Sequence, residues 1–215
     1  MKFNSNSGFT LIELAVVLVI VGLVLASLFV PISTQVNQAQ IIETRRDLLD
    51  IKEALLGYSL INGRLPCPDS TGDGFEDACP NANATASTEG NLPWATLALK
   101  ASDVWGQPFR YRVNNAFTAT FLLTTFGSGA GVIKICTDSS CTKTEASNVP
   151  LVVYSKGKNG GLSLAEMTDL DEKENADQDS NYVNRDPVEG GYDDMVIWIS
   201  INILMNRMVS VGKLP

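Results

Sequence analysis

Gly8-Phe9-Thr10-Leu11-Ile12-Glu13-Leu14 opens an apolar run that continues to Val30 with Glu13 as its only charge. From Phe9 the run is 22 residues long, roughly 33 Å as a helix, which is enough to cross a hydrocarbon core of about 30 Å. A short polar leader, Met1 to Gly8, carries Lys2 and precedes it. Two plain readings are a cleaved secretory signal and a single-span anchor. The run is longer than the usual signal core of about 7–15 residues, and Ala26-Ser27-Leu28 makes a poor cleavage site. Neither reading accounts for a carboxylate this close to the start of the run. In hydrocarbon such a charge costs at least about 2.5–3.5 kcal/mol, so Glu13 needs a partner.

Beyond the run, Pro31 interrupts the apolar sequence, where a proline removes a helical hydrogen bond and kinks the chain. Ile41, Leu48, Ile51, Leu55 and Tyr58 then recur at helical spacing, with charged residues on the other faces. Gly57, Asn62-Gly63 and Pro66 mark the stop. The pattern predicts one long helix from about Phe9 to about Leu60, with an apolar first half and an amphipathic second half that packs on a domain. The stripe is too short for an independent coiled coil. After Arg64 the sequence is rich in turn residues, and the predicted strands are Phe109–Val113, Ala119–Thr125, Val132–Cys136, Leu151–Tyr154 and Met195–Ile199. Asn202–Val209 reads as a terminal helix. The acidic stretch from Leu162 to Asp194 has few large apolar residues and reads as a long loop. The fold class is therefore α+β, a long N-terminal helix packed on a small, mostly antiparallel sheet. The segments are a leader at 1–8, an apolar helix at 9–30, its amphipathic continuation at 31–62 and a globular domain at 63–215.

The 215 residues suffice for a real core. With 24 acidic against 16 basic side chains and a net charge of −8, the chain lacks the clustered Lys and Arg that phosphate neutralisation needs, which argues against nucleic acid as a partner. There is no histidine, so Ser-His-Asp and Cys-His catalysis and His-ligated zinc are excluded. A carboxylate-only glycosidase pair would need an aromatic-lined cleft, and none is evident beside the acidic loops. The chain does not read as an enzyme. Its mean hydropathy of +0.07 with 19% charged residues fits a membrane-grade segment.

The heptapeptide Gly8 to Leu14, followed by an unbroken aliphatic run, resembles the leader junction of type IV pilins and type II secretion pseudopilins. The resemblance implies that a prepilin peptidase cuts between Gly8 and Phe9 and that the new amino terminus of Phe9 is methylated. It also implies a partner for Glu13, the terminal amine of a neighbouring subunit. A buried carboxylate is tolerable when paired, and a pair formed only between staggered subunits sets assembly register. The implied product is a structural subunit of a type II secretion pseudopilus or a type IV pilus. It would sit in the bacterial inner membrane with its globular domain in the periplasm. Its partners would be other pilin-like subunits, an inner-membrane assembly platform and the membrane itself. The alternative from another class is a calcium-dependent binding protein or adhesin on a membrane stalk, which would have no use for Glu13.

Four cysteines lie as two close pairs, Cys67 with Cys79 and Cys136 with Cys141. C-x-x-C metal spacing is absent, and zinc would need all four thiolates. Behind an export segment the even count reads as two local disulfides in an oxidising compartment, although four cysteines allow three connectivities. Asp69, Asp73 and Asp77 recur at intervals of four, with Gly72 and Gly74 for the turn, which suits an oxygen site for Ca2+. The run from Cys67 to Pro80 also resembles the calcium loops of thrombospondin type 3 repeats; a solvated turn pinned by a disulfide is the other reading. Asp103-Val104-Trp105-Gly106-Gln107-Pro108-Phe109-Arg110-Tyr111 resembles the Asp-Pro-Trp-Gly-x-Pro-Tyr stretch of the major pseudopilin. Val153 to Gly160 resembles its Tyr/Trp-Ser-x-Gly-x-Asp-Gly segment, which forms a calcium loop with aspartates downstream. The positions that carry over are Ser155, Asp193 and Asp194, with Asn159 standing where the relatives have Asp. An insertion from about Leu162 to Gly191 separates the two halves. Asp169, Asp171, Asp177 and Asp179 within it are either a substitute site or solvated charge.

Overall fold

The computed structural model describes residues 9–79, 87–120, 133–188 and 190–214, and their side chains except those of 26–34. The chain divides into two compact units, Met1–Ile42 and Glu43–Pro215. Helix α1 spans Leu11–Asn62, so it supplies the first unit and the opening element of the second. Pro31 lies within α1 and does not end it. In the first unit every described side chain from Phe9 to Leu25 is exposed, Leu11 at 89% and Leu18 at 64% among them. Among the described residues no helix is long and apolar enough to cross a membrane.

In the second unit α1 buries Thr44, Leu48, Ile51, Leu55, Leu56 and Ser59, an i, i+3/i+4 stripe of the kind that packs a helix on a sheet. The helix stops where Gly63, with φ of +70°, takes a left-handed conformation that other residues enter only at a cost. The strands are β1 Ser87–Asn91, β2 Arg110–Asn114, β3 Lys134–Cys136, β4 Thr144–Ser147, β5 Leu151–Ser155, β6 Asn181–Val183 and β7 Met195–Ile199. A 3-10 turn at Asn115–Phe117 and two further helices, α2 Leu170–Ala176 and α3 Ile201–Ser210, complete the described elements. The main sheet has the order β1-β2-β5-β7 and is antiparallel throughout. A second sheet, β4-β3-β6, pairs β3 with β4 antiparallel and with β6 in parallel.

All five residues of β5 are buried, which identifies it as a strand covered on both faces. Because side chains alternate along a strand, Val152 and Tyr154 share one face. There they join Ile133, Ile135, Val149 and Tyr182 in a core between the two sheets, flanked by Val196 and Trp198. Two local disulfides, Cys67–Cys79 and Cys136–Cys141, close the loops as the spacing suggested.

The polar centre of this unit is Glu89 on β1. Its carboxylate receives Arg110 at 3.0 Å, Arg112 at 2.8 Å, the Tyr182 hydroxyl at 2.7 Å and the Tyr154 hydroxyl at 3.1 Å. Arg112 also donates to the Ser87 hydroxyl and to the Gln178 carbonyl. Residues of both sheets thus converge on one carboxylate, and Arg112 ties the segment before β6 to it. Burial alone would raise the Glu89 pKa, but the Tyr182 hydrogen bond and the two guanidiniums bring it below its ordinary value.

Ala119–Thr125 falls largely outside the described residues, and its described part, Ala119 and Thr120, is not strand. Other expected strands appear within one or two residues of the expectation, Met195–Ile199 with the same bounds. The long acidic loop is corrected: it contains α2 and β6.

Glu89→Ala is expected to destabilise the chain by about 3–5 kcal/mol, because it leaves two guanidiniums in the interior without their counter-charge. Urea unfolding of the full chain in detergent micelles checks this; a loss under about 1 kcal/mol would mean that the network does not tie the sheets together.

Candidate functional site

Two places in the molecule carry chemistry, one in each unit. At the start of α1, Glu13 accepts from the Thr10 backbone N–H and from the Thr10 hydroxyl, both at 2.9 Å and both on Oε2. The Glu13 N–H in turn reaches the Thr10 Oγ1 at 3.3 Å. This reciprocal pair is a capping box, which satisfies two of the amides that a helix start leaves open. The Thr-x-x-Glu spacing was present in the sequence, and the local partner it provides was missed. The bonds found use one carboxylate oxygen, and a carboxylate has lone pairs for further donors. Phe9 is 85% exposed beside it. Gly8, the other junction residue, lies outside the described residues.

In the second unit the loop between Cys67 and Cys79 spends its aspartates on its own backbone. Asp69, 1% exposed, accepts from the Gly72 and Gly74 amides at 2.6 and 2.8 Å. Asp77 accepts from Ser70 N–H at 2.7 Å, Ser70 Oγ at 2.6 Å and Thr71 N–H at 3.0 Å. Asp73 accepts from Phe75 N–H at 2.9 Å. Gly74 has φ of +86°, and a Cβ there would strike the Trp94 indole. These carboxylates build a turn. Among the described residues they are not in either group of acids close enough to share a cation. Glu76 points the other way, to Arg64 at 2.7 and 2.8 Å and to the Tyr58 hydroxyl at 2.7 Å. Burial would raise Glu76, yet those hydrogen bonds hold it at about 2.

The two stretches that resemble the major pseudopilin meet in space. Asp103 accepts from the Trp105 and Gln107 amides at 3.0 and 2.9 Å on one oxygen, and from the buried Ser155 hydroxyl at 2.6 Å on the other. Ser155 also accepts from the Gly157 amide at 3.1 Å. It is therefore committed to the 103–107 turn and is not part of the acidic cluster.

That cluster is Glu172, Asp193 and Asp194, each offering a carboxylate oxygen within 4.8 Å of the others. Glu172 and Asp194 are 2% and 3% exposed. Asp193 takes the Lys158 N–H at 3.1 Å on Oδ2, while its Oδ1 is buried without a hydrogen-bond partner. Asp194 accepts from Asn175 Nδ2 at 2.8 Å. Gly157, at φ of +62°, brings the chain so close to Asp193 that a Cβ would fall on its carboxylate. Burial, followed by the Glu172 charge, pushes Asp193 up to about 6. Burial lifts Asp194 well above the ordinary carboxylate range, with Glu172 and Asp193 adding to it. The Lys158 side chain is exposed and only its amide faces the cluster. Asn159 donates its Nδ2 to Glu172 at 2.8 Å.

Of the residues singled out by sequence, Asp193 and Asp194 are thus brought together and Asn159 stands beside them. Ser155 is turned to Asp103, and Asp69, Asp73 and Asp77 are used elsewhere. Glu172 was missed, because its segment reads as loop until α2 is seen. Asp169 caps α2 through the Asp171 and Glu172 amides and pairs with Arg185, as Asp171 does. Asp177 and Asp179 form a second, more exposed group with Glu174.

Residues 3–29 match the family described as "Prokaryotic N-terminal methylation motif". Over 112 residues the chain is 34% identical to the type II secretion system core protein G of Pseudomonas aeruginosa, which covers 52% of this chain and 76% of that protein. No solved structure matches.

The raised Asp193 pKa has a definite sign. With a folded value of about 6 against about 3.9 unfolded, its contribution is fully present below about pH 4 and is lost as pH rises through 6. In chelator, Asp193→Asn is expected to melt on the order of 2–4 °C above the native chain at pH 7, with no gap near pH 4. Thermal unfolding of the full chain in micelles across that range measures it, and a gap that is constant with pH would contradict the assignment.

Proposed function

Since the chain belongs to the pilin and pseudopilin family, whose members are structural rather than catalytic, we propose that it is a membrane-anchored subunit of a type II secretion pseudopilus. The observation that carries this reading is the first unit. A helix that is apolar all round needs cover, and here every described side chain from Phe9 to Leu25 is exposed. Lipid covers it before assembly, when the run from Phe9 to Val30 crosses the inner membrane, and neighbouring apolar helices cover it in the filament. A prepilin peptidase cuts after Gly8, Phe9 is methylated, and the globular domain stands in the periplasm, where its two disulfides form. Glu13 keeps its Thr10 bonds on Oε2 and pairs with the Phe9 amine of the next subunit, which fixes the stagger. A type IV pilus subunit is the second assembly of the same kind. The likeness to a type II core protein over three quarters of that protein's length favours the pseudopilus.

The same reading includes calcium at Asp193 and Asp194, in the position of the relatives' calcium loop. The residues fit such an ion: a buried carboxylate oxygen lacks a donor, and neighbouring acids crowd it. When bound, the ion neutralises these carboxylates and fixes the loops that carry them. Ser155 and Asp103 hold the adjoining turn in place, and the Lys158 amide orients Asp193.

Mass spectrometry of the protein extracted from membranes is expected to show an N-methylated Phe9 and no Met1–Gly8. An intact leader, or cleavage near Ala26, would contradict the proposal. Glu13→Ala is expected to insert and be processed normally but to enter filaments poorly. Sedimentation of sheared filaments measures that loss, and native incorporation would mean that Glu13 serves α1 only as a capping residue.

A further inference from the structure

We propose that Glu172 is a ligand of the bound cation, so that calcium fastens the 162–191 insertion to the core sheet. The inference rests on the calcium reading above and extends it to a residue outside the stretches that resemble the relatives. Where those relatives carry Asp, this chain has Asn159, and the Glu172 carboxylate oxygens offer acceptors. Asn159 presents its amide N–H to Glu172 at 2.8 Å, which turns the amide into an orienting group. The charge lost at position 159 is restored from α2. Glu172 is 2% exposed and its carboxylate lies within 4.8 Å of those of Asp193 and Asp194. Its Oε1 accepts the Asp193 amide at 2.9 Å, so it is seated against the residue whose Oδ1 has no donor.

The placement of Glu172 is built in from several sides. Asp169 caps the helix, Arg185 pairs with both Asp169 and Asp171, and the Ser139 amide donates to Asp171 at 2.8 Å. One turn on, Asn175 donates to Asp194 and accepts from the Val183 amide on β6 at 2.7 Å. Three carboxylates this close repel one another when ionised, and a cation between them relieves that repulsion. A hard cation that accepts irregular oxygen sets suits them better than magnesium, which demands octahedral geometry. Since the ligands come from α2 and from the segment before β7, ion binding makes the stability of the insertion depend on the sheet.

The test uses the full chain in detergent micelles after removal of metal with chelator. Calcium is expected to slow backbone hydrogen exchange not only at 156–160 and 192–195 but also across 170–176 and 181–183. Slowing confined to the first two segments would overturn the role of Glu172. In calorimetric titrations with calcium chloride, Glu172→Gln and Asp193→Asn are each expected to weaken binding more than about tenfold. Native affinity in Glu172→Gln together with loss in Asp193→Asn would remove Glu172 and leave the calcium site standing. Absence of calcium binding by the native chain at millimolar concentration would remove both. Should Glu172→Gln lose its near-ultraviolet dichroism and fail to fold, the exchange pattern of the native chain decides alone.

Discussion

Phe9 to Leu25 presents apolar side chains to every side of a helix, and at about 25 cal/mol per Å² such a surface does not stay in water. It must be covered by lipid or by similar helices. In the proposed filament, Glu13 inside that surface would make α1 an assembly element rather than a plain anchor. Its capping bonds to Thr10 stabilise the helix start, yet a capping residue would serve as well outside the apolar run. A carboxylate placed within it would act on whatever covers the helix, and under the proposed function the terminal amine of a neighbouring subunit is its counter-charge.

The buried stripe of α1 from Thr44 to Ser59 commits one face to the domain, and the main sheet is antiparallel throughout. The second sheet is added to this core by apolar packing around Tyr154 and Tyr182 and by the Glu89 network. The acidic cluster is another contact between core and insertion, where Glu172 meets Asp193 and Asp194.

What was legible in the sequence follows from how strongly each element is patterned. The apolar run, the stripe at Leu48, Ile51 and Leu55, and the strands at 110–114, 151–155 and 195–199 announce themselves by hydrophobic periodicity. Both disulfides join the closely spaced cysteines, one of the three pairings that the sequence left open. β1, Ser-Thr-Glu-Gly-Asn, does not announce itself, because its inward residue is Glu89, which is buried by salt bridges rather than by apolarity. α2, Leu-Asp-Glu-Lys-Glu-Asn-Ala, reads as solvated charge until Arg185 and Asp169 are seen to hold it. The regular Asp69, Asp73, Asp77 spacing pointed to a cation, but short-range bonds to backbone amides claimed those oxygens first. Glu172 could not be linked to Asp193 from sequence, since the contact depends on the folded insertion.

In the proposed filament, like helices cover the apolar run of α1. A photo-crosslinking amino acid placed at Leu18 in cells that assemble the filament tests it most directly. Irradiation is expected to give adducts that join this chain to another pilin-like subunit through its N-terminal helix. Adducts to lipid alone under those conditions would contradict it.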